Sequence, residues 1–234
     1  MISISIHLKN ILYASGDDLM IFEKAKELIQ TRRSIRNYLD TPVPKEDILD
    51  ILDCARYAPS DTNSQTWEFI VISNKEIINK IEEYTWESLR NIAESAKQNG
   101  KEKEGKLLLR SFGPYATAFS GAPALIICLA TPYTSKFREK IFDPIGFVDE
   151  SVWHEEGIKS STLAAQNIML AAHAKGLATC PMTGPVLLAQ KEIAELLDIP
   201  KDKTINLVLA LGYPERDAKA PQRKEIDEIA RFID

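Results

Sequence analysis

The stretch that most constrains the fold is the run PALIICLA, Pro123 to Ala130. It is far too short to cross a bilayer, which takes about 20 apolar residues in a helix. Its eight residues also lack the polar alternation of a strand with one wet face. The reading is therefore a central strand, covered on both sides. At 234 residues, with 44% hydrophobic and 27% charged side chains, the chain has enough material to bury that strand within one soluble domain.

The remaining periodicities supply the cover. In LMIFEKAKELIQ, the residues Ile21, Phe22, Ala25, Leu28 and Ile29 fall on one helical face. After Asp40-Thr41-Pro42, PKEDILDILDCARYA predicts a second helix, with Ile48, Leu49, Leu52 and Ala55 on its buried side. TWEFIVIS, LATCP and TINLVLALGYP read as strands, and Pro185 opens the helix PVLLAQKEIAELLDI. Residues 75 to about 110 read as polar helix with a soft spot at KQNGKEKEGK. Ser151 is expected to cap the long helix through GIKSSTLAAQNIMLAAHAKG, which Gly176 ends. Pro132 to Glu150 has no regular pattern but carries Tyr133, Phe137, Phe142 and Phe147; connections of that length are usually functional or disordered. No repeat or Gly/Ser linker divides the chain, so one α+β domain over 1–234 is expected, with 1–19 as an extension and 214–234 as a polar tail.

Several function classes have little to build on. A net charge of −5 supplies no basic face for general nucleic-acid binding, and no apolar stretch is long enough to be a membrane span. Cys54, Cys128 and Cys180 lie far apart, as reduced thiols do; with no basic region at the start, a cytoplasmic protein is the expectation. The sequence contains no G-x-G, P-loop, H-E-x-x-H or G-x-S-x-G pattern. His154-Glu155-Glu156 reads as a solvated helix start, because adjacent helical residues point in different directions, and no metal site is expected.

Three stretches carry chemistry. TRRSIRNY sets Arg32, Arg33 and Arg36 within five residues of an acidic chain. In extended form Arg32, Ser34 and Arg36 project to one side, and such a set matches the acceptors of a phosphate. An exposed basic helix end fits the same residues. ARYAPSDTNSQTWEFIVI places Ser60, Asn63, Ser64 and Gln65 in a turn before a strand, where their amides and hydroxyls serve either the edge of a polar ring or the turn itself. GLATCPMTGP runs from a strand into a helix entrance, whose free N–H groups suit an electron-rich atom. Cys180 reads as a buried filler and not as a nucleophile.

Taken in order, RRSIRNY, ARYAPSDTNSQTWEFIV, AAQNIMLAAHAKGLATCPMTG, and LALGYP followed by PQRKEIDEI resemble the nitroreductase family of FMN-dependent oxidoreductases, from about residue 21 to 232. The resemblance implies a central antiparallel-rich mixed sheet flanked by helices, in an intertwined homodimer with FMN at its interface. It implies that Arg32, Arg33, Ser34, Arg36 and Arg223 hold the phosphate and ribityl chain, and that Asn63 and Gln65 face flavin or ribityl polar atoms. Pro59 and Ser60 are then contributed by the opposite subunit. Pro181, Met182, Thr183 and Gly184 pass beside the isoalloxazine, with a backbone N–H near N5. The implied activity is a ping-pong transfer from NADH or NADPH to an electron-poor acceptor such as a nitroaromatic or quinone. No catalytic side chain is expected, since the flavin does the chemistry. A reductive dehalogenase and a non-catalytic redox sensor are alternatives on the same frame. Residues of about 80–150, with Tyr84, Trp86, Phe112 and Tyr115, are expected to shape the substrate site or to pack over the dimer. Thr66 stands where many relatives have Pro, and Thr183 where several have an acid.

Overall fold

A computed structural model describes residues 16–233. Four strands, β1 (Trp67–Ile72), β2 (Ala124–Ala130), β3 (Ala178–Met182) and β4 (Thr204–Gly212), form an antiparallel sheet in the order β1-β2-β4-β3. All seven residues of β2 are buried, so the central strand lies where the apolar run required it.

Alternate β2 side chains leave on opposite faces. Leu125, Ile127 and Leu129, opposite Ala210, Val208 and Ile205, join one core with Ile78, Ile81 and Ile193. Ala124, Ile126 and Cys128, opposite Leu211, Leu209 and Leu207, join another with Ile48, Ile51, Ala165 and Ile168. Each fully buried Leu or Ile contributes roughly 1.5–3 kcal/mol, which is why the register of this strand is strongly specified.

Helices α1 (Gly16–Thr31), α2 (Lys45–Ala55), α3 (Lys75–Gln98), α4 (Glu150–Ala174) and α5 (Gly184–Leu196) surround the sheet, with a short α6 (Ile226–Ile229) in the tail. The pair α3 and α5 covers the first core; α2 and α4 cover the second. Asn74 caps α3 by accepting from the Glu76 N–H. A run of short helical turns from Glu102 to Ala116 returns the chain to β2.

Four expectations change. The cap of α4 is Asp149, whose carboxylate accepts from the backbone N–H and hydroxyl of Ser151; Ser151 itself is already inside the helix. Those bonds hold the Asp149 carboxyl below its usual range. On α2 the buried arc runs through Ile48, Ile51 and Ala55, leaving Leu49 outside it at 54% exposure. The segment 132–150 is not irregular throughout, because it holds helical turns at Arg138–Phe142 and Asp143–Ile145. Helix α1 begins at Gly16, within the expected 1–19 extension, while 1–15 lie outside the described residues.

The predicted apolar face of α1 forms on the helix, yet the described residues leave it uncovered. Ile21, Phe22 and Ile29 remain 58–65% exposed, with Leu19 and Met20 beside them, and α1 packs on α4.

Helix α4 crosses close to the end of β2 at Gly157, where a Cβ would collide with the Thr131 carbonyl oxygen. Inside a helix, Gly→Ala ordinarily stabilises by up to about 1 kcal/mol. Here the collision decides the sign: Gly157→Ala is expected to lower stability by about 1–3 kcal/mol in chemical denaturation. A midpoint at or above wild type would refute the close crossing.

Candidate functional site

The arginine segment is fastened along the free edge of β3. Ser34 bridges Thr179 in parallel fashion, and the Ile35 N–H donates to the Thr179 carbonyl at 3.1 Å. Tyr38 bridges Pro214, so the segment also clasps the end of β4. Ile35 turns into the protein, and its neighbours turn outward. Arg32, Arg33, Ser34 and Arg36 then line a cavity of about 390 Å³ with Lys219, Pro221 and Arg223 from the tail. The structure thus brings Arg223 to the cluster across the whole length of the chain.

Among the described residues, none of these four arginines forms an ion pair. Arg33 behaves as an ordinary basic helix end, donating to the carbonyls of Gln30 and Arg32. Arg36 lies with its guanidinium 5.3 Å over the Tyr115 ring. Arg32 differs: its Nη1 is buried with no partner. Burial lowers its pKa, and Arg223 and Arg33 lower it further, so its cationic form is held in place unfavourably. Beside it His173 sits with Nε2 2.9 Å from the Thr31 hydroxyl. Burial, then Arg32 and Arg33, push that imidazole down, so near neutrality it adds no charge to the cluster. His173, Arg32, Arg33 and Thr179 line an adjoining cavity of about 420 Å³.

The 59–65 loop is conformationally costly. Thr62, Asn63 and Gln65 hold φ values of 47°, 57° and 51°, in the left-handed region. Such positions cost of order 1–3 kcal/mol each for non-glycine residues and cluster where function needs them. Ser60 organises the turn, its hydroxyl accepting from the Gln65 N–H at 3.0 Å and its carbonyl from the Asn63 N–H at 3.1 Å. Asn63 and Gln65 are left exposed, as is Pro59. Behind them the hydroxyls of Ser64 and Thr66 and the indole N–H of Trp153 are buried without a protein partner.

At the third stretch Met182 is buried, while Thr183 is exposed and starts α5 without a side-chain cap. The first N–H groups of such a helix have no intrahelical acceptor. Gly184 is required by packing, since a Cβ there would stand 2.7 Å from Ala116 Cα. Burial raises the Cys180 thiol, and Arg36 and Arg32 offset only part of that; its Sγ lies 3.5 Å from Met182 Sδ.

The arginine cavity takes no lining residue from 59–65. The reason is topological. Trp67 and the Met182 end of β3 lie toward the same end of the sheet, but β1 and β3 are its opposite edges. Within one chain the two groups of candidate residues therefore lie at opposite edges of the four-stranded sheet. Of the aromatics expected to shape the substrate site or to pack over the dimer, Tyr84 packs on the first core, and the Trp86 ring fills the space beside Gly113. Tyr115, Phe137 and Phe147 remain 62–75% exposed. His173 and Thr62 lie within motifs singled out in the sequence but were given no role there, and Arg138 lies outside them; each gains its place through long-range contacts.

The described residues thus form an α+β protein with an arginine cavity on a sheet edge, a strained polar loop and a helix entrance without a side-chain cap. The profile of the nitroreductase family matches residues 29–213. A nitrobenzene nitroreductase of Ectopseudomonas oleovorans is 30% identical, over 88% of this chain and 96% of the relative. The solved structure of a BluB-like flavoprotein from Clostridium difficile 630 superposes with a TM-score of 0.75 at 26% identity, over 90% of this chain and 99% of that one. An FMN-dependent nitroreductase of Clostridium difficile R20291 gives a TM-score of 0.59 at 26% identity, over 88% and 98%. The chain belongs to the nitroreductase family.

Burial predicts the behaviour of the thiols. Cys128 and Cys180 are buried and their thiols are pushed up, so native alkylation at pH 8 is expected to leave both unmodified. Mass spectrometry reads this directly, and rapid labelling of Cys180 would restore it as a candidate nucleophile.

Proposed function

We propose that the chain is an FMN-dependent NAD(P)H oxidoreductase acting as a homodimer on electron-poor aromatic or quinone acceptors. The observation that carries this reading is the cavity of Arg32, Arg33, Arg36 and Arg223, which holds no carboxylate and contains a buried guanidinium nitrogen without a partner. A phosphate dianion supplies the missing charge and acceptors, and Arg is suited to grip it in bidentate fashion. Ser34 adds a hydroxyl on the same wall. Asn63 and Gln65 offer amide donors and acceptors to a flat polar ring, and the bare start of α5 at Thr183 and Gly184 offers N–H groups. When bound, FMN supplies the two-electron chemistry that lets NADH or NADPH reduce a nitroaromatic or quinone in alternating half-reactions. The chain's own part is to hold, orient and exclude water.

Two features support a homodimer. The apolar face of α1 is uncovered, and the arginine cavity and the 59–65 loop stand on opposite edges of one sheet. A second copy covers the first and brings its own Pro59 and Ser60 to the site. Among the described residues no helix is long and apolar enough to cross a membrane, and a cytoplasmic location suits the free thiols.

The central test is anaerobic: the purified protein is mixed with NADH or NADPH, flavin bleaching is followed by stopped flow, and reoxidation is measured with nitroaromatic, quinone and halophenol acceptors. Bleaching and rapid reoxidation by the first two are expected. Reoxidation by halophenols alone would favour dehalogenation, and no bleaching would favour a redox sensor.

Arg32→Gln is expected to weaken FMN binding by about 1.5–3 kcal/mol through the lost charge-assisted bonds. Arg36→Ala is expected to cost less, because its guanidinium is already engaged with Tyr115. Fluorescence titration of the apoprotein checks both, and unchanged affinity in Arg32→Gln would reject the phosphate role. Replacing Ile21 and Phe22 together with Glu is expected to give a monomer in sedimentation velocity that retains little flavin. A dimer that keeps its colour would move the interface elsewhere.

A further inference from the structure

Thr62 is the least comfortable residue of the polar loop. A β-branched side chain at φ 47° and ψ 28° is a genuine outlier, and Asn63 and Gln65 depend on it for their own placement. Its hydroxyl lies 3.1 Å from the hydroxyl of Tyr133, 71 positions further along the chain. Tyr133 is buried, its N–H donates to the Trp153 carbonyl at 2.9 Å, and its ring lies 6.0 Å from the Trp153 ring.

The backbone of Tyr133 is fixed from its other side by Arg138. Nη1 of Arg138 donates to the Tyr133 carbonyl at 2.6 Å, Nη2 to both carboxylate oxygens of Glu150 at 2.8 and 2.7 Å, and Nε to Asp143 at 3.2 Å. The same guanidinium lies 5.2 Å over the Trp153 ring, and its side chain is only 11% exposed. All three nitrogens are used, so the 133–150 segment folds around one arginine. That segment carries Phe137, Ile141, Ile145 and Phe147 on its exposed side.

We infer that Tyr133, held by Arg138, is a positioning residue for the 60–65 loop: the Tyr133–Thr62 hydroxyl pair keeps Thr62 left-handed and thereby sets where Asn63 and Gln65 present their amides. The exposed apolar face of 133–150 is spliced to the same loop and holds its position relative to those amides. The inference rests on the reading that this loop faces FMN. A hydroxyl-to-hydroxyl bond is a small interaction, but it acts on a residue that has a strained alternative to escape from.

The test is FMN titration of wild type, Thr62→Val, Tyr133→Phe, the double variant and Thr62→Ser, with thermal melting of each. Thr62→Val and Tyr133→Phe are each expected to weaken FMN binding roughly threefold to tenfold. The double variant is expected to be no weaker than either single one, and Thr62→Ser to match wild type. Acceptor KM is expected to rise more than kcat falls in both single variants. Single effects that multiply, an unchanged Kd, or a lowered melting temperature with unchanged Kd would each overturn the positioning role. If Tyr133→Phe does not fold, Thr62→Val carries the test, since its side chain is exposed and nearly isosteric. Wild type that takes up no FMN overturns the functional reading and this inference with it; wild type that binds FMN as its variants do overturns the inference alone.

Discussion

The structure depends on the burial of β2. A strand with no polar face has to be covered twice, and the alternation of its side chains divides the cover into two separate cores. That division places α3 and α5 on one side and α2 and α4 on the other, and leaves the two edges of the sheet as the places where irregular backbone lies. The binding residues follow from this. One set is laid along β3 by the Ser34–Thr179 bridge, and the other is held at the start of β1 by the Ser60 turn.

The electrostatics of the β3 edge run against the chain's overall charge. In an acidic protein, four arginines converge and, among the described residues, none of them forms an ion pair, while Asp217 shares the adjoining cavity with Arg32 and Arg33. Elsewhere Lys175 is paired with Asp47 and Asp50, and Arg138 with Asp143 and Glu150. Burial, helped by Arg32 and Arg33, pushes the His173 imidazole down, which favours its neutral form beside the cluster.

How far the sequence could be read depended on the range of the interactions. Strands β1 to β4 and helices α2 to α5 arise from local periodicity and punctuation, and they stand where those patterns placed them. Errors fell where one residue's choice depended on tertiary context. Asp149 took the cap from Ser151 because the helix began two residues earlier, and Leu49 stayed outside the buried arc, which runs through Ile48, Ile51 and Ala55 where α2 packs on α4. Tyr84 and Trp86, expected to shape the substrate site or to pack over the dimer, are half-buried against the first core and beside Gly113. Arg138 carried no signal in its immediate neighbours, and the turn around Thr62 did not reveal its tie to Tyr133.

By itself, the sequence determined an α+β fold with a doubly buried strand and a local concentration of arginine, because composition, period and short motifs are local properties. Its motifs in order also carried the family. Only the tertiary structure decided that Arg223 joins Arg32, that Arg32 has a buried nitrogen with nothing to bond, and that the left-handed loop is tied to Tyr133. Those are meetings between residues far apart in the chain, and no local preference encodes them.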